Sequence, residues 1–524
     1  MNSNLKRLAL SLATGLLFWA GWPPLPLFFL LFVALIPLLE LSNDSTIKGW
    51  KRFLWVYLAL FCWNLSTTWW VWNSTAAGAT VMLLLNTLFM CIPWLIYARY
   101  KNRLGEAAEY LLVILWLLYE FLHHRWDLSW PWLTLGNGLA EATWLVQWYD
   151  VTGTLAGSAF ILAMNVLIWK AIKTRKRFYF IAPGALFVFV WASSLFSELK
   201  WQKTAKASGK LNVVVCQPSY DPWNEKFVKP PYEMIGEMLN LSAKMVDSST
   251  DLLIWPETSL TEGIDVNHTA TDGQLSLLRT YQKKFPKLRI LAGADMQEIY
   301  ENSPERPNAT ARKTSTPNLW WNAYNSAVYC EPLNKTSFYH KSILVPGTEQ
   351  MPFTGVFPFI DKLAISLDKN SISGSLGRDS RPKALGESPV RVAPIICYES
   401  IYGDYTSRFV KDGANLLCIV TNDAWWGNTP GYKQHLAYAK LRAIEQRKWV
   451  ARSTNTGISG FINPLGKMVK QSDWWEKTAL KQEVQQFNKQ TLYCRMGDVS
   501  WLLILCGLCG GLGFLAFLRE KKTA

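Results

Sequence analysis

Seven apolar runs, at roughly 6–21, 24–41, 53–72, 76–98, 107–123, 155–172 and 178–196, precede one long polar stretch, and an eighth follows it at about 500–518. Each is about long enough to cross ~30 Å of hydrocarbon as a helix. Lys6 and Arg7 before the first run give it the look of a cleavable leader, but a second run begins straight after GWPP, which predicts a retained hairpin. The chain is therefore expected to have an N-terminal membrane domain at 1–196, a soluble domain at 197–498, and a C-terminal spanning helix with a short tail at 499–524.

The basic residues orient it. Lys6 and Arg7, Lys48, Lys51 and Arg52, Arg99, Lys101 and Arg103, the cluster Lys170 to Arg177, and Arg519, Lys521 and Lys522 occupy alternate ends of the runs. The connections GWPP and NSTAAG carry none, and 124–154 carries only Arg125. The positive-inside rule then places the basic ends in the cytoplasm and the stretch 197–498 outside, the periplasmic side of a bacterial inner membrane. A formal charge of +15 would ordinarily suggest nucleic acid, but these clusters lie between apolar runs, so no nucleic-acid partner is expected. Half the residues are hydrophobic and 28 are Trp, which excludes a disordered chain and suits a bilayer interface.

Inside the soluble stretch, LNVVV, DLLIW, RILAGA, NSAVYC, VRVAPIIC and NLLCIV read as short buried strands, and 270–284 and 433–447 have helical period. An α/β or α+β domain follows, with 300–318 as an exposed loop. Working groups in such folds gather at strand ends, where Glu257, Cys397, and Asn422 with Asp423 are expected. A carboxylate could take the proton of the Cys397 thiol, and the Lys341 ammonium could favour the thiolate and an oxyanion. Five scattered His give no metal-ligand spacing, so no metal is expected. A lone Cys in an apolar strand is commonly a buried small hydrophobe, which is the reading for Cys418, whereas Cys330 ends a strand before a Glu and competes with Cys397 as nucleophile.

The segments DLLIWPETS, YHKSILVPGTEQMPF, PIICYESIYGD and TNDAWWGNTPGYKQHLAYAKLRAIEQRKWVARSTNTGISGFINPLG closely resemble the nitrilase superfamily, and specifically its membrane branch, the apolipoprotein N-acyltransferases. The resemblance implies an αββα sandwich beside a polytopic helical membrane domain. It implies Cys397 as nucleophile, Glu257 as general base, Lys341 at the oxyanion, and Glu349, Tyr398 and Glu399 in support. Trp223, Asn422 and Trp425 are expected to meet substrate, with Trp223 or Phe227 standing for the family's tryptophan after the first strand. His340 and Gly347-Thr348 depart from the family's usual residues around the lysine and glutamate motifs.

The implied reaction moves an acyl chain from a phospholipid, phosphatidylethanolamine being the expected donor, through a Cys397 thioester to the α-amine of a diacylglyceryl apolipoprotein. It needs no cofactor, and a monomer is expected. A lipid substrate also suits the architecture. At ~0.8 kcal/mol per methylene, drawing a long acyl chain into water costs on the order of 10 kcal/mol, so an enzyme that moves one gains from a bilayer at both ends of its soluble domain. The alternative enzyme is a membrane-anchored nitrilase-type amide hydrolase, and the alternative class is a transporter with an outer domain. Cys216, Cys330, Cys418 and Cys494 show no spacing of a disulfide framework.

Overall fold

The computed structural model describes residues 3–353, 375–502, 504–508 and 510–511, and the chain divides into two compact units, 1–203 with 496–524, and 204–495. The last part of the run expected at 500–518, with the basic residues Arg519, Lys521 and Lys522, lies outside the described residues.

The first unit is helical: α1 (Ser3–Gly21), α2 (Ile36–Asn43), α3 (Trp50–Thr68), α4 (Ala76–Leu104), α5 (Ala108–His123), α6 (Tyr149–Thr152), α7 (Thr154–Thr174) and α8 (Arg177–Thr204). Among the described residues α4, α7 and α8 are long and apolar enough to cross a membrane, and Val499–Leu508 is a shorter apolar helix. The run at 24–41 is not one helix: a 3₁₀ turn at Phe28–Phe32 precedes α2. Pro37, in the first turn of α2, explains the interruption, since it lacks the N–H that a continuous helix would bond to the Val33 carbonyl. The Trp-rich stretch between α5 and α7 holds only 3₁₀ turns and the four-residue α6, so it adds no crossing.

Packing in this unit relies on small residues and rings. A Cβ on Gly15 would lie 2.5 Å from the Cys62 Cβ, so glycine lets α1 and α3 meet closely. Phe18 then stacks on Trp63 at 3.8 Å between ring centroids. On α8, by contrast, Phe178, Phe180, Ile181, Phe189 and Phe196 are exposed, the kind of surface a helix shows to lipid.

Among the described residues the second unit has twelve strands: β1 (Gly209–Gln217), β2 (Leu252–Asp265), β3 (Arg289–Tyr300), β4 (Arg312–Lys313), β5 (Trp320–Cys330), β6 (Thr336–His340), β7 (Val392–Ile396), β8 (Leu416–Thr421), β9 (Val450–Thr454), β10 (Gly460–Ile462), β11 (Met468–Gln471) and β12 (Thr478–Gln486). The long central strands follow apolar runs of the sequence, whereas β11 and β12 are largely polar and β4 is a two-residue pairing within the stretch 300–318 expected as a loop. One sheet has the order β12-β1-β2-β3-β5-β4 with β6 on β5, and the other the order β11-β10-β9-β8-β7. Both are mixed. β1, β2 and β3 run parallel, as do β7, β8 and β9, while β12, β5 and β10 add antiparallel neighbours. Strands β7, β8 and β9 are buried along their whole length and β1 along most of its own, as strands covered on both faces must be.

Helices α9 (Pro231–Ser242) and α10 (Gly273–Gln282) pack on the first sheet, and α11 (Gly403–Lys411) and α12 (Pro430–Gln446) on the second. The two sheets meet face to face through β1, β2, β8 and β9. Ser453 pins them together, its Oγ bonding the carbonyls of Cys216 at 2.7 Å and Ile254 at 3.1 Å. The result is a four-layer helix–sheet–sheet–helix sandwich, as expected from the sequence, and it brings the middle of β2 and β5 and the ends of β6, β7 and β8 to one site.

Candidate active site

Cys397 directly follows β7 and opens a 3₁₀ turn, at a backbone φ of +48°. A side chain rarely holds that conformation, and the surrounding turn must maintain it. Glu399 does so. Its Oε2 accepts the Ile396 N–H at 2.9 Å, while Oε1 accepts from the Ser342 N–H at 2.8 Å and the Tyr339 hydroxyl at 2.5 Å. One buried carboxyl thus joins the nucleophile's turn to the segment that carries Lys341. Burial lifts the Glu399 pKa to about 7 despite those donors. Behind the turn, His435 Nε2 lies 2.7 Å from Ser400 Oγ and 3.3 Å from the Cys397 carbonyl oxygen, and its Nδ1 lies 2.9 Å from Asp423, which also receives Arg452 at 2.6 Å. Tyr398 is buried against Tyr402, with ring centroids 5.4 Å apart, and lines the core side of the turn.

Glu257 does not end its strand as the sequence suggested. β2 continues to Asp265, and Glu257 stands in a bulge: Trp255 pairs with Ala292, and the next paired residue, Leu260, meets Ala294. The bulge depends on Gly293, where a Cβ would fall 2.5 Å from both the Glu257 Cα and the Pro256 carbonyl oxygen. The residues Pro256 to Ser259 after DLLIW read as a strand end in the sequence, whereas they form the bulge and the pairing resumes at Leu260. Glu257 Oε1 accepts the Asn325 side-chain amide at 2.8 Å, and Oε2 accepts the Asn422 N–H at 3.0 Å.

Lys341 follows β6 and is 1% exposed. Its Nζ lies 2.8 Å from Glu349 Oε1 and 3.6 Å from Glu257 Oε1. Burial works against this ammonium, but the Glu349 and Glu257 carboxylates outweigh it and raise its pKa, so Lys341 remains charged at any working pH. Glu349 is itself held by the Val345 N–H at 2.8 Å and by the Asn325 amide at 3.0 Å.

The thiol of Cys397 is raised by burial and by the Glu257 carboxylate, with Lys341 pulling the other way. The sequence argument that the ammonium would favour the thiolate is correct in sign, yet it is outweighed. A thiol in this setting needs a base to ionise it, and the Glu257 carboxylate is near enough to act on it electrostatically. Cys330, the competing nucleophile, differs in position: it is 2% exposed within the apolar core of the first sheet, whereas Cys397 is only partly buried and lies beside Glu257 and Lys341. Cys216, Cys418 and Cys494 are likewise buried and free.

The three residues expected at the substrate fall into two groups. Asn422 is buried and works through its main chain on Glu257, with its side-chain oxygen taken by Asn455 at 3.0 Å. Trp223 is exposed and packs edge-on against Trp425 at 5.0 Å, and the ring of Phe227 lies 6.4 Å from Trp425. These rings form an apolar lip on the loops following β1 and β8. Elsewhere in this unit, Trp474 stacks on Tyr432 at 4.0 Å and Trp320 Nε1 donates to the Ser303 carbonyl at 3.0 Å, which is ordinary packing.

Sequence reasoning missed Asn325, Lys226, His435 and Arg452. Asn325 sits in NSAVYC, read only as a strand, and Lys226 in a loop searched only for its aromatic residue. His435 and Arg452 stand inside the longest family-like segment, which was the available signal.

Residues 213–490 match the carbon-nitrogen hydrolase family model, and residues 14–167 match that of the apolipoprotein N-acyltransferase N-terminal domain. The apolipoprotein N-acyltransferase of Chlorobaculum tepidum is 30% identical over 98% of this chain and 97% of its own, and that of Thermotoga maritima is 26% identical over 96% and 92%. Among solved structures, an amidase from Nesterenkonia sp. covers 57% of this chain and 97% of its own, at 13% identity and a TM-score of 0.36. With matches to both family models and a relative at this identity along nearly its full length, the chain belongs to the apolipoprotein N-acyltransferase family of the nitrilase superfamily and is an acyltransferase.

Proposed function

We propose that Cys397 carries the acyl group between a membrane phospholipid and the N-terminal amine of a diacylglyceryl apolipoprotein. The observation that carries this reading is the convergence of Glu257, Lys341 and Glu349 on one buried charge cluster within electrostatic reach of the Cys397 thiol. Glu257 takes the thiol proton as Sγ attacks the ester carbonyl of the donor. Lys341 faces the oxyanion that develops, and its charge is already in place, so no reorganisation is needed at that moment. When the tetrahedral intermediate collapses, the ester C–O bond breaks, Glu257 returns the proton, and a lysophospholipid leaves. The α-amine of the apolipoprotein then attacks the thioester, giving up a proton to Glu257, and the C–S bond breaks. The amide product and the Cys397 thiol result, with Glu257 ionised again.

The exposed rings of Trp223 and Phe227, with the half-buried Trp425 packed against them, support a lipid donor, since they offer the acyl chain an apolar surface. The alternating basic clusters support an inner-membrane protein with 197–498 on the periplasmic side, and phosphatidylethanolamine is the donor proposed. Intact mass spectrometry of the purified protein incubated with that lipid tests the reading. A fatty-acyl increment on Cys397, absent from Cys397→Ser and discharged by a diacylglyceryl peptide as an N-acylated product, is expected. Release of free fatty acid without amide would make the protein a hydrolase.

A further inference from the structure

Lys226 takes no part in the reaction above, yet it is a second ammonium at the same site. It is 1% exposed, and its Nζ donates to the main-chain carbonyl of Glu257 at 2.7 Å. That carbonyl lies in the bulge of β2, between the last residue paired to β3 before it, Trp255, and the next after it, Leu260. The loop that supplies Lys226 is organised by Asp221. Its Oδ1 accepts the N–H groups of Trp223 and Asn224 at 2.8 Å, and its carbonyl accepts the Lys226 N–H at 2.9 Å. The same loop presents the exposed rings of Trp223 and Phe227, so one turn carries an outer apolar lip and an inner charged tip.

Burying an ammonium is expensive, and a loop could be anchored by an apolar side chain without that cost. The surroundings say what the charge does. The Glu257 carboxylate on β2, the Asp295 carboxyl on β3 and the Cys397 thiol after β7 all act on Lys226 electrostatically and favour its charged form. Burial opposes them and brings its pKa down to about 8. The other ammonium, Lys341, is committed to Glu349 at 2.8 Å and reaches Glu257 only at 3.6 Å.

We infer that Lys226 is a positioning residue for acyl transfer, a protonated amine that fixes the main chain of Glu257 and balances the negative charge on Cys397 as its proton moves to Glu257. Lys226 keeps its own protons throughout, and no bond to it forms or breaks. The inference rests on the acyl-transfer reading.

The test uses the full-length protein in detergent with phosphatidylethanolamine as donor, following the acyl increment on Cys397 by intact mass over time at several donor concentrations. Lys226→Met removes both the hydrogen bond and the charge. Lys226→Gln keeps a donor for the carbonyl without the charge, and Lys226→Arg keeps the charge. The methionine and glutamine variants are expected to lower the saturating rate of acylation about 10- to 100-fold, with the half-saturating donor concentration within about twofold of wild type, and the arginine variant to regain most of that loss. Acylation of Lys226→Gln at the wild-type rate would overturn the inference, because a hydrogen-bond anchor would then be enough. A change confined to half-saturation, or an arginine variant as slow as the glutamine one, would overturn it too. Should Lys226→Met fail to fold, the glutamine and arginine pair decides alone. A wild-type protein that forms no adduct would overturn the acyl-transfer reading itself, an outcome distinct from any difference among the variants.

Discussion

Asn325 holds both carboxylates of the site with a single amide group: its Nδ2 donates to Glu257 Oε1 at 2.8 Å and to Glu349 Oε1 at 3.0 Å. Lys341 Nζ approaches the same two oxygens, so two cationic or polar donors are shared between two anions that would otherwise repel. The residue is fixed in turn by pairing of β5 with β3, and its carbonyl accepts the Lys341 N–H at 2.8 Å.

Replacing that donor tests the arrangement. Asn325→Asp puts a third carboxylate against the other two and is expected to reduce amide formation at least 100-fold, whereas Asn325→Ala, which only removes a hydrogen bond, should cost about 10-fold. Steady-state assays with a lipidated peptide, alongside thermal melting to confirm folding, give the comparison. Equal losses in the two variants would contradict the electrostatic role.

Lys341→Met leaves Glu257 and Glu349 buried without their cation. A buried pair broken on one side loses about 3–5 kcal/mol, so this variant should melt well below wild type as well as losing activity. The double variant Lys341→Met with Glu349→Gln should recover part of the melting temperature and none of the activity.

Gly293→Ala is a mutation of a residue that touches no substrate. Its Cβ would meet the Glu257 Cα at 2.5 Å, so the bulge must move. Overpacking of this kind costs about 1–3 kcal/mol, and a shift of the base by even part of an ångström should lower the acylation rate by 10-fold or more. A fully active Gly293→Ala enzyme would mean that the bulge does not set the position of Glu257.

Trp223→Ala and Trp425→Ala remove rings that lie 5.0 Å apart on the apolar lip. On the proposed reading, in which the lip meets the acyl chain and not the reacting carbonyl, both should raise KM for the phospholipid several-fold while changing kcat much less. A short-chain ester donor should be nearly indifferent to either change.

Two buried carboxyls, Asp295 and Glu399, are raised by burial to about 7. A group raised above its unfolded value binds more protons folded than unfolded, so its contribution to stability is fully present below about pH 4.5 and is lost as pH rises through about 7. Melting temperature measured from pH 5 to 8 should therefore fall more steeply for wild type than for Glu399→Gln. Identical slopes would remove Glu399 from the pH dependence.

The strand positions and the order of the motifs were legible because each rests on local pattern. Runs such as VRVAPIIC and NLLCIV are buried strands wherever they pack, and the residues that follow them project from strand ends. Choosing Cys397 over Cys330 needed more than local pattern, since both end strands, and burial separates them only once β5 is seen inside the core of the first sheet. The break at 24–41 was visible in Pro37, but hydropathy averages over it.

By itself, then, the sequence determined the apolar and polar segments, the alternation that builds two mixed sheets, and the residue types able to form and discharge a thioester. Tertiary structure decided which of them meet. Asn325, Lys226 and His435 lie 68, 31 and 38 positions from the catalytic groups they serve, and their partners are supplied by sheet register and bulge geometry. Hydrogen bonds and charge balance act over a few ångströms in space, so distance along the chain carries no record of them, whereas burial of apolar runs is written into each segment on its own.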